Sequence, residues 1–305
     1  MKGTPFFKQA ELVLRVLPHL HDEERFALKG GTALNFFVLD MPRLSVDIDL
    51  TFLPVTPRDE ALQNISDALE KLADRIKRSM PDSKIERIKA KGEVRVTKLF
   101  VRREGALIKI EPNEIIRGTV FPCEELTLAK KAEDLFELSV SAHLLSIADL
   151  YGGKLCAALD RQHPRDLFDV KLLLESSGLT DDIRRAFVIY LASHNRPMNE
   201  LLNPSWQDIR QTFENEFKDI SAVEVTCDDL IATRDAFLKE LLGSLTLVER
   251  QFLLSIKKGE PEWDLMGLDG IDRLPALQWK IQNVRRMPRE KNVRELTKLR
   301  RILNL

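Results

Sequence analysis

The most informative pattern of hydrophobic and polar positions runs from residue 26 to residue 53, FALKGGTALNFFVLDMPRLSVDIDLTFL. Its first four residues predict an apolar strand, a Gly-Gly turn follows, and a short amphipathic helix is expected from Thr32. A second strand carries Asp47 and Asp49, which are two positions apart and therefore project from the same face. The pattern predicts a strand, turn, helix and strand with polar groups at both ends.

The periodicity changes twice more in the residues that follow. Thr56 is followed by Pro57, with an acidic residue three positions after Thr56, which is typical of a helix whose N-cap is Thr56. Apolar residues at helical spacing continue this helix to about Met80. From residue 84 to 111 apolar and polar residues alternate, which predicts further strands, the last of them ended by Pro112.

Beyond Glu124 strand signals become sparse, and apolar residues recur at every third and fourth position. A segment rich in glycine and proline at residues 259 to 275 predicts a loop. The sequence therefore predicts an α+β fold, with a mixed-sheet domain at residues 1–130 and a helical domain at residues 131–305. Helices are expected at residues 146–160, 165–174, 181–193, 205–217, 227–243 and 245–257.

Both ends of the first stretch carry candidate chemistry. Gly30, Gly31 and Thr32 open a helix, so free backbone N–H groups and the helix dipole converge on one spot, as phosphate binding needs. Asp47 and Asp49 place two carboxylates on one strand face, although a solvated strand edge has the same pattern. Because the two features lie close together in the chain, they indicate a divalent cation held against a nucleotide.

Three further residues are candidates for the same site. Glu111 ends another strand on a polar face and is the natural third metal ligand, so three oxygen donors would hold Mg²⁺ or Mn²⁺ against a triphosphate. An ion pair between Glu111 and Lys109 is the alternative. Arg43 and Ser45 lead into the strand of Asp47, where they would either steady the triphosphate or metal or only shape the loop.

Composition limits the class of protein. The chain has 305 residues, of which 44% are hydrophobic and 31% charged, and a formal net charge of −1, so an RNA surface would have to arise from local clustering. Three cysteines without a CxxC pair support neither a disulfide framework nor a zinc site. The N-terminal residues lack the apolar core of a signal peptide, and no run is long enough to span a membrane, so a cytoplasmic protein is expected.

Basic residues form two clusters, one at residues 84–103 and one at residues 285–301. Such clusters are candidate surfaces for the RNA backbone, where phosphate contacts supply affinity. A solvated helix face and a docking surface for an acidic antitoxin are alternatives. The members are Lys84, Arg87, Lys89, Lys91, Arg95, Lys98, Arg102 and Arg103, and Arg285, Arg286, Arg289, Lys291, Arg294, Lys298, Arg300 and Arg301.

Four separated motifs, KGGTALNFF, RLSVDIDL, IKIE and DLYGGKLCAALDRQHPRDLFDVKLLL, occur in the order found in AbiEii/AbiGii-type toxins. The chain resembles this family, which includes the MenT nucleotidyltransferases and belongs to the polymerase-β-like nucleotidyltransferase superfamily. The match spans residues 26 to 175. The family often has serine where this chain has Thr32, and the hydroxyl is retained. The resemblance implies a nucleotidyltransferase-like sheet domain, with a helical domain that completes the active site and the acceptor surface.

Carried over to this chain, the resemblance implies roles for individual residues. Gly31 and Thr32 would cradle the triphosphate, and Asp47 and Asp49 would bind metal. Lys154 would contact a phosphate. The resemblance further implies that Asp169 is essential in the active site.

The helical residues also permit a plain structural interpretation. Lys154 follows a Gly-Gly pair in mid-helix, where a flexible cation could reach a phosphate, but an ordinary exposed lysine has the same pattern. Asp149 lies about 140° around the helix from Lys154 and is interpreted as a first-turn capping residue. Arg165, Asp166 and Asp169 are spaced for a surface ion pair. In the functional interpretation Asp169 is a carboxylate near the nucleotide or the acceptor hydroxyl, with Asp166 as the second candidate.

The leading hypothesis is a Mg²⁺-dependent enzyme that moves a nucleoside monophosphate from an NTP to an acceptor hydroxyl and releases pyrophosphate. The resemblance implies that the acceptor is the 3′ end of tRNA and that the protein is the toxin of a toxin–antitoxin or phage-defence pair, with a cognate antitoxin as partner. Transfer to a small molecule or a protein hydroxyl is one alternative. A catalytically idle nucleotide or RNA binder is another.

Overall fold

The computed structural model describes residues 4–90 and 92–305. The strands in these ranges are β1 (Phe26–Lys29), β2 (Asp47–Phe52), β3 (Lys84–Lys89), β4 (Val96–Arg103), β5 (Ala106–Asn113), β6 (Glu124–Thr127) and β7 (Ser141–Leu144). The helices are α1 (Pro5–Val16), α2 (Gly30–Ala33), α3 (Arg58–Ser79), α4 (Lys130–Phe136), α5 (Ile147–Arg161), α6 (Pro164–Glu175), α7 (Asp181–Ser193), α8 (Met198–Leu201), α9 (Arg210–Glu216), α10 (Cys227–Ser244), α11 (Leu247–Lys258), α12 (Pro275–Arg285) and α13 (Arg289–Ile302). None of these helices is long and apolar enough to cross a membrane.

The chain forms two compact units. The strand unit contains the described residues up to Ser146 together with a short return segment, Lys218–Glu224. The helical unit contains Ile147–Phe217 and Val225–Leu305. The return segment lies in the helical part of the sequence but packs with the strand unit, so the units are not two successive stretches of chain.

All seven strands of the strand unit form one sheet in the order β3-β4-β5-β2-β1-β7-β6. β2 pairs with β5, and β1 with β7, in parallel, whereas the other neighbours are antiparallel. This mixed sheet confirms the predicted α+β class. The amphipathic α3 packs against β4 and β3 through its apolar stripe, because helical spacing places those side chains on one face. The stripe is Leu62, Ile65, Leu69, Leu72 and Ile76, all buried.

Two predicted element boundaries are wrong. α3 begins at Arg58 with Pro57 in the N-cap position and no side-chain cap, and the Thr56 hydroxyl is buried without a hydrogen-bond partner among the described residues. Pro112 does not end β5, which continues to the next residue in register with β2. A proline fits there because β4 pairs with β5 only as far as Ile110, so no ladder bond from β4 is lost.

Strands β6 and β7 were not predicted, because each has only four residues, too few to show a period of two, and neither has the apolar run and following Gly-Gly turn that indicated the equally short β1. β7 pairs with β1 in parallel, with Leu144 beside Leu28. The sheet therefore extends beyond the point where the sequence indicated helices alone.

In the helical unit, α5 and α7 pack closely because Gly152 has no side chain. A Cβ atom at Gly152 would lie 2.8 Å from both Ala186 Cβ and the Phe187 backbone nitrogen. The first glycine of the Gly-Gly pair thus serves helix packing and does not leave an open path beside Lys154, as the sequence had suggested. α12 and α13 extend the unit past the predicted loop, which contains two short 3-10 turns, Trp263–Met266 and Ile271–Arg273.

Candidate active site

The glycine turn after β1 packs directly against polar side chains of the β2 region. Gly30 has φ +75°, which favours glycine, and a Cβ there would lie 2.8 Å from Asp49 Oδ2. A Cβ on Gly31 would lie 2.8 Å from Arg43 Nη2 and 2.9 Å from Ser45 Oγ. The structure therefore brings together five of the residues proposed from sequence, and only glycine allows this close approach.

The helix that follows the turn begins at Gly30, two residues earlier than predicted. Its four α-helical residues continue into five residues of π-helix, Leu34–Val38, and Lys29 at the N-cap makes no side-chain cap. The N–H groups of a helix's first turn lack intrahelical partners and carry partial positive charge, which suits an anion. The Asn35 amide donates to the carbonyl of Gly31 at 2.9 Å, which helps to fix the turn.

Thr32 ties the turn to the aspartate strand. Its side chain is 1% exposed, and its hydroxyl donates to the carbonyl oxygen of Asp47 at 2.5 Å and lies 3.0 Å from Ser45 Oγ. The hydroxyl proton is thus engaged within the protein. That Thr32 binds the triphosphate stays a prediction, and the group that would bind it is the backbone N–H and not the hydroxyl.

The two aspartates of β2 occupy the expected face. Asp47 and Asp49 are half-buried, whereas Ile48 and Leu50 point to the other side and are buried. Opposite Asp49, β1 presents Lys29 in the antiparallel register and β5 presents a glutamate in the parallel register. Carboxylates, glycine turn and cationic side chains therefore lie together on the neighbouring strands β1, β2 and β5.

That glutamate, Glu111, is held by two lysines. Its Oε1 lies 2.6 Å from Lys98 Nζ and its Oε2 lies 2.8 Å from Lys109 Nζ. Burial raises the pKa of Glu111, but the two ammonium groups outweigh burial and hold it below its ordinary value. Burial lowers the pKa of Lys109, and Glu111 together with Asp47 raises it above the usual range.

These contacts bear on the predicted metal site. Among the residues that the structure describes, no three Asp, Glu, His or Cys side chains are grouped as ligands for one ion. Asp47 and Asp49 still fit Mg²⁺, which is commonly held by one or two protein carboxylates while substrate phosphates and water complete its octahedron. Glu111 would join them only after release from its lysines, so its role as a third ligand stays a prediction.

A groove of about 440 Å³ opens beside Asp49. Its size falls within the range of small-molecule sites, and it combines acidic, basic and apolar groups. The groove is lined by Lys29, Asp49, Ala90, Thr97, Lys98, Glu111, Pro112, Asn113, Glu114 and Ile115.

The loop that carries Arg43 is fixed by the return segment. The backbone N–H of Leu44 donates to Ile220 O at 2.9 Å, and that of Ala222 donates to Pro42 O at 2.8 Å. Arg43 itself is 2% exposed and donates to Leu44 O at 3.0 Å. Sequence reasoning missed this support, because contacts about 180 residues apart in the chain leave no local periodic signal.

A second cluster of predicted residues lies in the helical unit. Lys154 Nζ is 2.8 Å from Asp166 Oδ1 and 2.9 Å from Asp169 Oδ2, and Arg161 Nη2 is 2.8 Å from Asp166 Oδ2. Lys154, Asp166 and Asp169 are all buried. Burial raises the pKa of Asp166, but Lys154 and Arg161 outweigh it and hold that pKa below its ordinary value.

The plain alternatives for these residues are wrong. Lys154 is not an exposed helix lysine, and Asp169, which is 0% exposed, is not part of a surface ion pair. Arg165 contacts a different carboxylate, with its Nη2 3.8 Å from Glu216 Oε2. Asp149 is also buried and accepts a hydrogen bond from the Tyr190 hydroxyl at 2.9 Å, a contact that its position in the first turn of α5 did not predict.

Comparison with known proteins identifies the family. Residues 12–283 match the family model described as "Nucleotidyl transferase AbiEii toxin, Type IV TA system". The chain therefore belongs to the AbiEii family of toxin nucleotidyltransferases of type IV toxin–antitoxin systems, and membership in this family implies an antitoxin partner. The resemblance inferred from the four motifs is thereby confirmed.

A solved structure supports the same fold. The chain is similar to MenT4, a nucleotidyltransferase toxin from Mycobacterium tuberculosis H37Rv, with 16% sequence identity and a TM-score of 0.60. The similarity covers 92% of this chain and 93% of that protein. None of the curated proteins compared with the sequence matches it significantly.

Proposed function

We propose that the protein transfers a nucleoside monophosphate from an NTP to the 3′-terminal hydroxyl of a tRNA, with Mg²⁺ or Mn²⁺ as the cofactor, and releases pyrophosphate. The observation that carries this proposal is the packing of the glycine turn against Asp49, Arg43 and Ser45. An anion-binding turn directly beside two carboxylates is suited to a metal–triphosphate complex. The N–H groups of the turn can bind the negative phosphates, and the carboxylates can bind the positive metal ion. Family membership supports the same class of reaction.

In the proposed reaction the acceptor hydroxyl oxygen attacks the α-phosphorus. A new oxygen–phosphorus bond forms, the bond from the α-phosphorus to the bridging oxygen breaks, and pyrophosphate leaves with the electron pair. A metal ion held by Asp47 and Asp49 would neutralise charge on the phosphate oxygens. The N–H groups of Gly31 and Thr32 and the guanidinium of Arg43 orient the triphosphate, Ser45 steadies this loop, and the hydroxyl proton passes to solvent in the groove that Asp49 lines.

Lys154 and Asp169 have the roles that the family implies, a phosphate contact and an essential carboxylate. Their mutual pairing supports positioning more than proton transfer. A neighbouring ammonium group stabilises the charged form of a carboxylate and so weakens it as a base, as the lowered pKa of Asp166 shows within the same cluster. We therefore assign Asp169 to fixing the Lys154 ammonium.

The proposal also covers the cellular setting. Transfer to the 3′ end of tRNA would block aminoacylation and act as the toxic event, in the cytoplasm where tRNA is used, and growth arrest of this kind suits defence against phage. The cognate antitoxin would restrain the activity.

The test is incubation of the purified protein with each labelled NTP, Mg²⁺ and total tRNA. We expect label on the tRNA 3′ end from at least one nucleotide, and a loss of at least about a hundredfold in Asp49→Asn, since removing one charge-stabilising group commonly costs that much. The matched control is Asp67→Asn, which removes a carboxylate from α3. Label on a small hydroxyl compound but not on tRNA would establish the small-molecule alternative, and full activity of Asp49→Asn would overturn the assigned site.

A further inference from the structure

Helix α13 carries a stripe of exposed basic side chains on one flank. Lys291, Arg294, Lys298 and Arg301 follow the spacing i, i+3, i+7 and i+10, which places them on the same side of an α-helix. All four are exposed, whereas Glu295 and Leu299 form the buried side of the helix. The basic stripe is about 15 Å long at 1.5 Å per residue.

The charge of the stripe is only slightly neutralised by its own helix. Glu295 pairs with Lys298 at 3.1 Å and lies 3.9 Å from Arg294, so one carboxylate serves two cations. Glu290 is the exposed acidic residue of α13. The helix therefore exposes more cations than its own carboxylates neutralise, and a negatively charged partner can pair with the remaining ones.

Two lysines outside α13 add positive charge, Lys257 in α11, which packs against α13, and Lys280 in α12. Burial and the nearby Lys257 ammonium together lower the pKa of Lys280 to about 8, and the Lys280 ammonium donates to the backbone carbonyls of His194 and Arg196. Burial likewise lowers the pKa of Lys257, while Glu295 raises it and Lys291 lowers it by a smaller amount. A bound polyanion would relieve this repulsion between like charges.

The other basic cluster, at residues 84–103, is less suited to a polyanion. Four of its cations already have carboxylate partners within the strand unit: Arg87 with Glu70 and Asp74, Arg95 with Glu93, Lys98 with Glu111, and Arg103 with Asp82. Its member Lys91 lies outside the described residues. The two clusters look alike in sequence, and the structure favours the one on α13.

The basic stripe also lies beyond the part of the chain that defines the family. The family model ends at residue 283, and α13 begins at Arg289. The stripe is thus a feature of this chain that the family description does not cover.

We infer that the basic stripe of α13 binds the phosphate backbone of the RNA acceptor. This inference rests on the proposed function, since only a polymeric acceptor has phosphates distant from the reacting hydroxyl. Lysine and arginine side chains supply affinity for a nucleic acid by neutralising phosphates and releasing counterions. A helix flank with four exposed cations suits that role, and an acidic protein is the competing partner that the experiment distinguishes.

The test compares two double variants of the full chain that remove the same charge from the same helix. Arg294→Gln/Arg301→Gln removes two arginines of the stripe, and Arg289→Gln/Arg300→Gln removes two exposed arginines from the other flank. Binding to a fluorescent tRNA is measured by anisotropy across a salt series. We expect the stripe variant to lose at least about tenfold in affinity and its log–log salt slope to fall by about two, one for each lost phosphate contact.

The outcomes separate this inference from the proposed function. The anisotropy assay measures RNA binding and does not depend on catalysis. If no RNA were labelled in the transfer assay, the proposed function would be overturned, and the binding assay would still test the role of the stripe. Equal losses in both variants, or no loss in either, overturn the inference. Retained RNA binding with lost binding of the co-expressed antitoxin would assign the stripe to a protein partner and overturn it as well. Thermal unfolding of both variants checks that the fold is kept.

Discussion

The chain contains two lysine–carboxylate clusters that look alike in composition and differ in burial. In the strand unit, Lys98 and Lys109 hold Glu111 at 2.6 and 2.8 Å, and these side chains are 30 to 33% exposed. In the helical unit, Lys154 is held at 2.8 and 2.9 Å by two aspartates, with exposures of 0 to 6%. The distances are nearly equal, so burial is the main physical difference.

Burial decides what each cluster can do. Ion pairs in contact with water contribute little to stability, so a ligand can replace one partner at small cost. Breaking a buried pair leaves a charge without compensation in a medium of low polarity, which costs several kcal/mol. The strand-unit cluster is therefore suited to exchanging partners when a metal or nucleotide binds, and the helical-unit cluster is suited to holding a fixed geometry.

The largest effect is expected when the buried cluster is broken. Lys154→Met should lower the free energy of unfolding by about 3–5 kcal/mol at neutral pH, because Asp166 and Asp169 lose their buried cation. The measurement is urea unfolding as a function of pH. A carboxylate whose pKa is lowered in the folded state stabilises the protein above its unfolded value, 3.8 for Asp166, and loses that contribution as pH falls.

The difference between wild type and Lys154→Met should therefore be greatest near neutral pH and shrink below about pH 4, as Asp166 becomes protonated. Arg161→Gln is the matched control, since Arg161 pairs with the same aspartate at 2.8 Å but is 63% exposed. It should cost less than about 1 kcal/mol. Equal effects of the two variants would contradict the role given to burial.

An intermediate effect is expected at the glycine turn of the strand unit. Gly30→Ala should destabilise the protein by about 1–2 kcal/mol, because a side chain is strained at φ +75° and its Cβ would meet Asp49 Oδ2. NTP affinity, measured by calorimetry, should fall by at least about tenfold as the carboxylate is displaced.

Gly243→Ala provides the comparison, because Gly243 lies in α10 with no atom within 4 Å of an added Cβ. It should leave NTP affinity unchanged and stabilise the helix slightly. If Gly30→Ala bound NTP as well as Gly243→Ala, the turn would not be part of the nucleotide site.

The smallest effect on stability is expected in the half-exposed cluster. The double variant Lys98→Gln/Lys109→Gln should change the unfolding free energy by less than about 1 kcal/mol. It should nevertheless raise the affinity for Mn²⁺ several-fold, since it frees the Glu111 carboxylate beside Asp49. Electron paramagnetic resonance of Mn²⁺ measures this without any turnover.

Arg87→Gln serves as the control, because Arg87 also pairs with carboxylates at the sheet surface, Glu70 and Asp74, and is 33% exposed. Unchanged Mn²⁺ affinity in the lysine double variant would remove Glu111 from the set of metal ligands. A loss of several kcal/mol would instead show that this cluster is structural, like the buried one.

Much of the candidate site could be predicted from local sequence. A period of two placed Asp47 and Asp49 on one strand face, and the Gly-Gly pair located the turn. The alternation at residues 84–111 yielded β3, β4 and β5. Strands β6 and β7 were missed because four residues show no period and no glycine turn follows them, as one follows β1. The N-cap of α3 was predicted at Thr56, one residue before its actual position at Pro57.

The sequence alone therefore determined the elements that carry the candidate site and which side chains share a face, since both depend on backbone geometry over a few residues. Only the tertiary structure decided burial and long-range partners. It placed Lys154 and Asp169 in a buried pair, paired Glu111 with two lysines, and used the segment Lys218–Glu224 to fix the loop of Arg43. These outcomes depend on contacts between residues distant in the chain, where no local period can report them.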